Sequence, residues 1–135
     1  MNDRATLMND RAPALNIAVV DDDQRILESL KNLLESADHG VHPFASAAAL
    51  LASGCLPEID CLISDISMPG MNGFELLHAV LAARPELRVI LVTGHAELLG
   101  QLPPVGLGQY RLFKKPFDGE ELLTAISEIG GGQVP

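Results

Sequence analysis

Four apolar residues in a row, Ile17-Ala18-Val19-Val20, run straight into three aspartates, Asp21-Asp22-Asp23. A short apolar run without alternation predicts a strand buried on both faces, as in a parallel sheet. Ile26, Leu27, Leu30, Leu33 and Leu34 then recur at helical spacing, with Asp22 or Asp23 placed to cap the helix they define. Residues 40–45 (GVHPFA) predict a weak second strand. Pro43 has no N–H to give a ladder and so suits only a sheet edge. Ser46 can cap a short helix through Ala47–Ala52, and Ile59–Ser64 predicts the third strand, followed by Asp65.

After the turn Met68-Pro69-Gly70-Met71-Asn72-Gly73, a helix carries Phe74, Leu77 and Leu81 and ends before Pro85, because the residue preceding proline avoids helical geometry. Val89-Ile90-Leu91-Val92 is the fourth strand and Tyr110–Phe113 the fifth. Asp118 can cap a last helix with Leu122, Leu123, Ile126 and Ile129 on one stripe, stopped by three glycines. Between strands four and five, Ala96–Leu102 has helical character, but Pro103, Pro104, Gly106 and Gly108 cannot extend that helix. The fourth helix is therefore expected to be short or disrupted. Five strands alternating with helices predict an α/β fold, a parallel sheet joined by right-handed crossovers.

Residues 16–129 form the expected domain. Residues 1–15 read as a flexible tail in which Met1-Asn2-Asp3-Arg4-Ala5 is repeated as Met8-Asn9-Asp10-Arg11-Ala12. Residues 130–135 read as a Gly-rich flexible tail or truncated linker.

Composition narrows the chemistry. A length of 135 residues, 47% of them hydrophobic, suits one domain with one core. The formal charge is −9, from 18 acidic against 9 basic residues. No cluster of Lys and Arg interrupts it, which argues against direct nucleic-acid or anionic-membrane binding and favours a cation site. No apolar stretch approaches the ~20 residues needed to span a bilayer, and the N-terminus lacks the apolar core of a signal peptide. A cytoplasmic protein is expected. Cys55 and Cys61, like His39, His42 and His78, lack metal-ligand spacing and are read as ordinary packing or surface residues.

In an open parallel sheet, ligands bind beyond the carboxyl ends of the strands, where strand order reverses. Here strand one ends in Asp21, Asp22 and Asp23, strand three in Asp65, strand four in Thr93, and strand five in Lys114-Lys115-Pro116. Clustered carboxylates repel one another, and a hard divalent cation with oxygen ligands relieves that repulsion. The cation also neutralises charge that develops on a phosphoryl group in transfer. A carboxylate can serve as the nucleophile, while a hydroxyl and an ammonium hold the other phosphoryl oxygens.

Four segments resemble the motifs of response-regulator receiver domains, in the family's order and with similar spacing. They are Val19-Val20-Asp21-Asp22-Asp23, Leu62 through Gly73, Val92-Thr93-Gly94 and Lys115-Pro116-Phe117. The resemblance implies a flavodoxin-like sheet of order 2-1-3-4-5 with helices on both faces. It implies that Asp65 accepts a phosphoryl group from a histidine kinase or phosphotransfer protein. Mg²⁺ would be held by Asp21, Asp22, Asp65 and the backbone carbonyl of Ser67. Thr93 would contact the phosphoryl oxygens and move on phosphorylation, and Lys115, before a cis proline, would pair with the phosphoryl group. Such a domain catalyses only its own phosphorylation and dephosphorylation, and signals to an output protein or an effector domain from which it has been excised. Ser67 and His95 occupy positions that flank the path of hydrolytic water in the family.

Two departures concern output. Leu112 stands where the family carries an aromatic residue, with Tyr110 and Phe113 off register, and the fourth helix is interrupted. A phosphorylation-independent interaction module on the same fold is the rival reading. A phosphohydrolase with an aspartyl-phosphate intermediate is weaker, since Asp65 is followed by Ile66-Ser67 rather than by a second aspartate two residues on. The complete set of acidic pair, Asp, Thr and Lys favours the phosphoacceptor.

Overall fold

The computed structural model describes residues 14–94 and 110–131. The expected short helix at 96–102, its Pro and Gly breaks and His95 lie outside the described residues. Five strands are observed: β1 (Asn16–Val20), β2 (Gly40–Phe44), β3 (Cys61–Asp65), β4 (Arg88–Thr93) and β5 (Tyr110–Lys114). All neighbours pair in parallel, and the order is β2-β1-β3-β4-β5. This is the flavodoxin-like order, with its switch point between β1 and β3. Pro43 sits on edge strand β2, opposite Val19.

The helices among the described residues are α1 (Gln24–Ser36), α2 (Ala47–Ser53), α3 (Gly73–Ala83) and α4 (Gly119–Gly131). They cover both faces of the sheet and divide the core into two layers. Leu27, Leu30 and Leu34 of α1 and Leu122, Ala125 and Ile126 of α4 pack with Ile17, Val19, Ile63 and Val92. On the other face, Leu50 of α2 and Leu76, Leu77 and Val80 of α3 pack with Ala18, Val20, Leu62 and Leu91. Adjacent strand residues thus serve opposite layers, as the two-residue period of a strand requires.

Local chemistry explains most boundaries. Asp23, of the two candidates, caps α1 by accepting from Arg25 N–H at 2.9 Å. Ser46 caps α2, accepting from Ala49 N–H, and Gly54 closes that helix in the left-handed region at φ 79°. Such a conformation is easy for glycine.

Three differences from the predicted elements are instructive. The third strand begins at Cys61, not Ile59, because Leu56–Glu58 forms a 3-10 turn with Pro57 in its first positions. Ile59 is buried as a plug beside that turn. In α3, Leu76 and Val80 lie fully in the core beside Leu77, whereas Phe74 packs only at its margin. Finally, α4 continues through Gly131, beyond the last stripe residue Ile129.

Candidate functional site

β1 delivers Asp21 to the carboxyl rim. Its backbone N–H extends the ladder to Phe44 O at 3.1 Å, and its side chain is almost completely buried. Asp21 Oδ1 accepts from Asp23 N–H at 2.9 Å, so the same turn that aims the carboxylate also starts α1. Asp22 is exposed beside it. Asp65, the last residue of β3, is buried at the same rim. One carboxylate oxygen from each of Asp21, Asp22 and Asp65 falls within 4.8 Å of the others.

β4 ends in Thr93, which is also buried. Its carbonyl accepts from Lys115 N–H at 2.7 Å, and this bond carries the chain past the end of β5 to the rim. The Lys115–Pro116 peptide is cis, as the resemblance implies. Lys115 Nζ then lies 2.9 Å from Asp21 Oδ2 and 3.4 Å from Asp65 Oδ1. Lys114, the rival lysine, remains exposed on β5. The sequence-predicted residues Asp21, Asp22, Asp65, Thr93 and Lys115 therefore all converge on one rim. Ser67 is exposed just beyond Asp65, at the start of the β3–α3 loop.

The electrostatics are unbalanced. Among the described residues, three carboxylates face a single ammonium, leaving a surplus of negative charge when all are ionised. Burial raises the Asp65 pKa above the usual carboxylate value, the Asp21 charge raises it further, and Lys115 offsets only part of this. For Lys115, burial pulls its pKa down. The Asp21 hydrogen bond and the charges of Asp65 and Asp21 outweigh it and leave the ammonium more basic than usual. An oxygen-only donor set with surplus negative charge fits a hard divalent cation such as Mg²⁺.

Two contacts behind Asp65 have no counterpart among the sequence-predicted residues. Ser64, fully buried, donates its hydroxyl to Asp65 O at 3.0 Å. Gly73, the first residue of α3, donates its N–H to Ile66 O at 2.9 Å. The helix it starts is fixed by a capping box in which Asn72 and Glu75 each accept the other's backbone N–H at 2.9 Å. The N-x-x-E spacing was a legible signal for that box.

Fold and rim together define a flavodoxin-like α/β domain with a carboxylate cluster at the carboxyl ends of its strands, and comparison with known proteins gives the family. The model of the response regulator receiver domain matches residues 17–127, and the chain belongs to that family. It is 36% identical over 113 residues to the transcriptional regulatory protein FixJ of Azorhizobium caulinodans, covering 84% of this chain and 54% of that protein. Against DctD of Rhizobium meliloti, a C4-dicarboxylate transport transcriptional regulatory protein, identity is 36% over 83% of this chain and 24% of that protein. The chain thus spans about half or less of the length of these two relatives.

Among solved structures, a receiver domain from Methanospirillum hungatei superposes with a TM-score of 0.80 at 32% identity, covering 90% of this chain and 97% of that one. Full-length FixJ from B. japonicum gives 0.76 at 33% identity, covering 90% and 60%. The protein is a receiver domain of the two-component response-regulator family. None of its described helices is long and apolar enough to cross a membrane.

Proposed function

We propose that Asp65 accepts a phosphoryl group from the phosphohistidine of a histidine kinase or phosphotransfer protein, in a reaction that requires Mg²⁺. The observation that carries this reading is the Lys115 ammonium, paired with both Asp21 and Asp65 at the edge of a three-carboxylate cluster. In the transfer, an Asp65 carboxylate oxygen forms the new P–O bond while the P–N bond to the donor imidazole breaks. The imidazole nitrogen keeps the bonding electron pair and takes up a proton from solvent. Asp21, Asp22, Asp65 and the Ser67 carbonyl would hold Mg²⁺, which supplies charge neutralisation to the transferring group. Lys115 orients Asp65 beforehand and pairs with the phosphoryl oxygens afterwards, and Thr93 gives them a hydroxyl donor.

The domain would catalyse only the phosphorylation and dephosphorylation of its own Asp65. It would work in the cytoplasm and pass its state to an output protein or effector domain. The relatives named as transcriptional regulatory proteins support such an output.

The direct experiment is incubation with Mg²⁺ and acetyl phosphate, followed by intact mass. One phosphoryl group should appear, and should be lost in Asp65→Asn and under EDTA. Equal labelling of Asp65→Asn would overturn the assignment.

Leu112 keeps a second reading in play, an interaction module whose partner binding ignores phosphorylation. It packs beside Tyr110 against the core layer under α2 and α3, while Phe113 serves the opposite layer. A leucine has no polar tip to exchange between core and solvent. Beryllofluoride, an acyl-phosphate mimic, should therefore leave Leu112 in one rotamer. Partner affinity unchanged by beryllofluoride would favour the module.

A further inference from the structure

We infer that Gly73 is a positioning residue for the phosphoacceptor: its missing side chain lets the start of α3 lie against the Asp65–Ile66 peptide and so sets where the Asp65 carboxylate stands. The inference rests on the phosphoacceptor reading and adds a residue outside the rim to it.

The geometry is specific. A Cβ placed on Gly73 would fall 2.6 Å from Asp65 O, 2.7 Å from Ile66 Cα and 3.2 Å from the Asp65 carbonyl carbon. These are backbone atoms, so no side-chain rotation relieves the overlap, and either the helix or the peptide must move. Among the described residues, no other glycine with this problem touches the rim. At Gly40 the overlapping atom is the Asn16 side-chain oxygen, and at Gly94 the nearest atoms are an ordinary 3.9 Å away.

Neither side of the contact yields easily. The helix is fixed by the Asn72–Glu75 capping box and by Leu76, Leu77 and Val80 in the core. The peptide is held by Ile66 N–H donating to Val92 O at 2.9 Å and the Ser64 hydroxyl donating to Asp65 O at 3.0 Å, and the next carbonyl, Ile66 O, accepts from Gly73 N–H at 2.9 Å. The carbonyl pinned in this way belongs to the residue whose carboxylate must meet both Lys115 and the cation. A shift at that carbonyl passes directly to the Asp65 Cα, with no rotatable side chain between. The Ser64 hydroxyl is the hydrogen-bond donor to that carbonyl oxygen.

The test uses the full chain and four proteins: wild type, Gly73→Ala, Ser64→Ala and Leu30→Ala. Leu30 is buried between α1 and the sheet and serves as a stability control. Three quantities are read: melting temperature, Mg²⁺ affinity by titration, and the acetyl phosphate labelling rate at saturating Mg²⁺. Misplacement of a reacting group by a fraction of an ångström supports a rate loss on the order of tenfold. Gly73→Ala should show that loss together with weakened Mg²⁺ binding, whereas Leu30→Ala should lose melting temperature and keep both functions.

If Gly73→Ala does not fold, Ser64→Ala carries the test. It should label severalfold more slowly with little change in melting temperature. Wild-type rate and Mg²⁺ affinity in Gly73→Ala would overturn the inference, as would an equal functional loss in Leu30→Ala. For an unfolded Gly73→Ala, wild-type labelling by Ser64→Ala would do the same. A wild-type protein that binds Mg²⁺ yet takes no label would instead overturn the phosphoacceptor reading.

Discussion

At the amino end of the sheet, below Asn16, polar side chains meet partners of opposite hydrogen-bonding character. Asp60 accepts from Asn16 N–H at 2.8 Å, His39 Nδ1 accepts from Leu15 N–H at 3.0 Å, and Arg84 donates to the carbonyls of Leu56 and Ile59. At the carboxyl end, Asp21, Asp22 and Asp65 crowd one another, with the Lys115 ammonium between two of them. The first arrangement satisfies backbone groups that the strand ends would otherwise leave unpaired. The second leaves like charges together, a destabilising arrangement that a bound cation would reverse. Polar residues at one end thus hold the fold, and those at the other are kept at its expense. Substitutions at the two ends should therefore have opposite signatures.

The largest expected contrast is at Asp65. Asp65→Asn should abolish labelling while its melting temperature stays at or above that of wild type. The substitution removes a buried charge whose ionised form is already disfavoured by burial and by Asp21. A marked fall in melting temperature would mean that the rim is a structural ion network.

Arg84→Met should behave in the reverse way. It keeps the aliphatic stem but leaves the Leu56 and Ile59 carbonyls without their guanidinium donor, a loss of about 1 kcal/mol, the low end of the cost of an unmet acceptor because both bonds are only part-buried. Its exposed pair with Glu86 adds little. Denaturant unfolding measures the loss, and the labelling rate should be unchanged. Near-wild-type stability would show that the amino end does not depend on this residue.

A smaller effect is expected at Asp22, the exposed member of the cluster. Asp22→Asn should weaken Mg²⁺ binding about tenfold or more and slightly raise the melting temperature of the metal-free protein. A Mg²⁺ titration and a melt, both unchanged, would remove this cluster as a cation site.

The sequence carried these two ends unequally. Strands β1, β3 and β4 are legible because burial on both faces forces unbroken apolar runs, and the rim residues are legible because each directly follows or ends such a run. The residues of the amino end have no local pattern. Arg84 reaches carbonyls 25 and 28 residues away, and His39 meets a residue 24 positions earlier, so only the folded chain brings them together. His39 read as ordinary, and its role is indeed structural, but nothing in its neighbours named Leu15. Helix faces were half legible for a similar reason. The apolar positions of α3 allow a stripe through Phe74 or one through Leu76 and Val80, and the placement of the helix on the sheet selects the second. Gly73 was visible as a turn glycine, but its contact with the Asp65 carbonyl depends on how α3 docks.

The mildest test of the comparison concerns His39 and pH. Burial lowers its pKa below the ordinary 6.5, with the Asp38 charge opposing only in part. Its Nδ1 is an acceptor for Leu15 N–H, and a proton there would set two donors against each other. The adjacent backbone bond, Gly40 N–H to Leu15 O at 2.9 Å, fixes the start of the β1–β2 register, so the strain would fall on the edge of the sheet. The folded state therefore favours neutral imidazole, while the unfolded chain takes up its proton near the ordinary value. Stability from this group is fully present above about pH 6.5 and is lost as pH falls through the lower folded value. His39→Asn supplies an oxygen near the position of Nδ1 and does not titrate there. Between about pH 7.5 and about pH 5.5, a range that spans the ordinary histidine value, wild type should lose more melting temperature than His39→Asn. Carboxylate titration is common to both proteins and cancels in the difference. Parallel curves would show that the His39–Leu15 bond contributes nothing that depends on protonation.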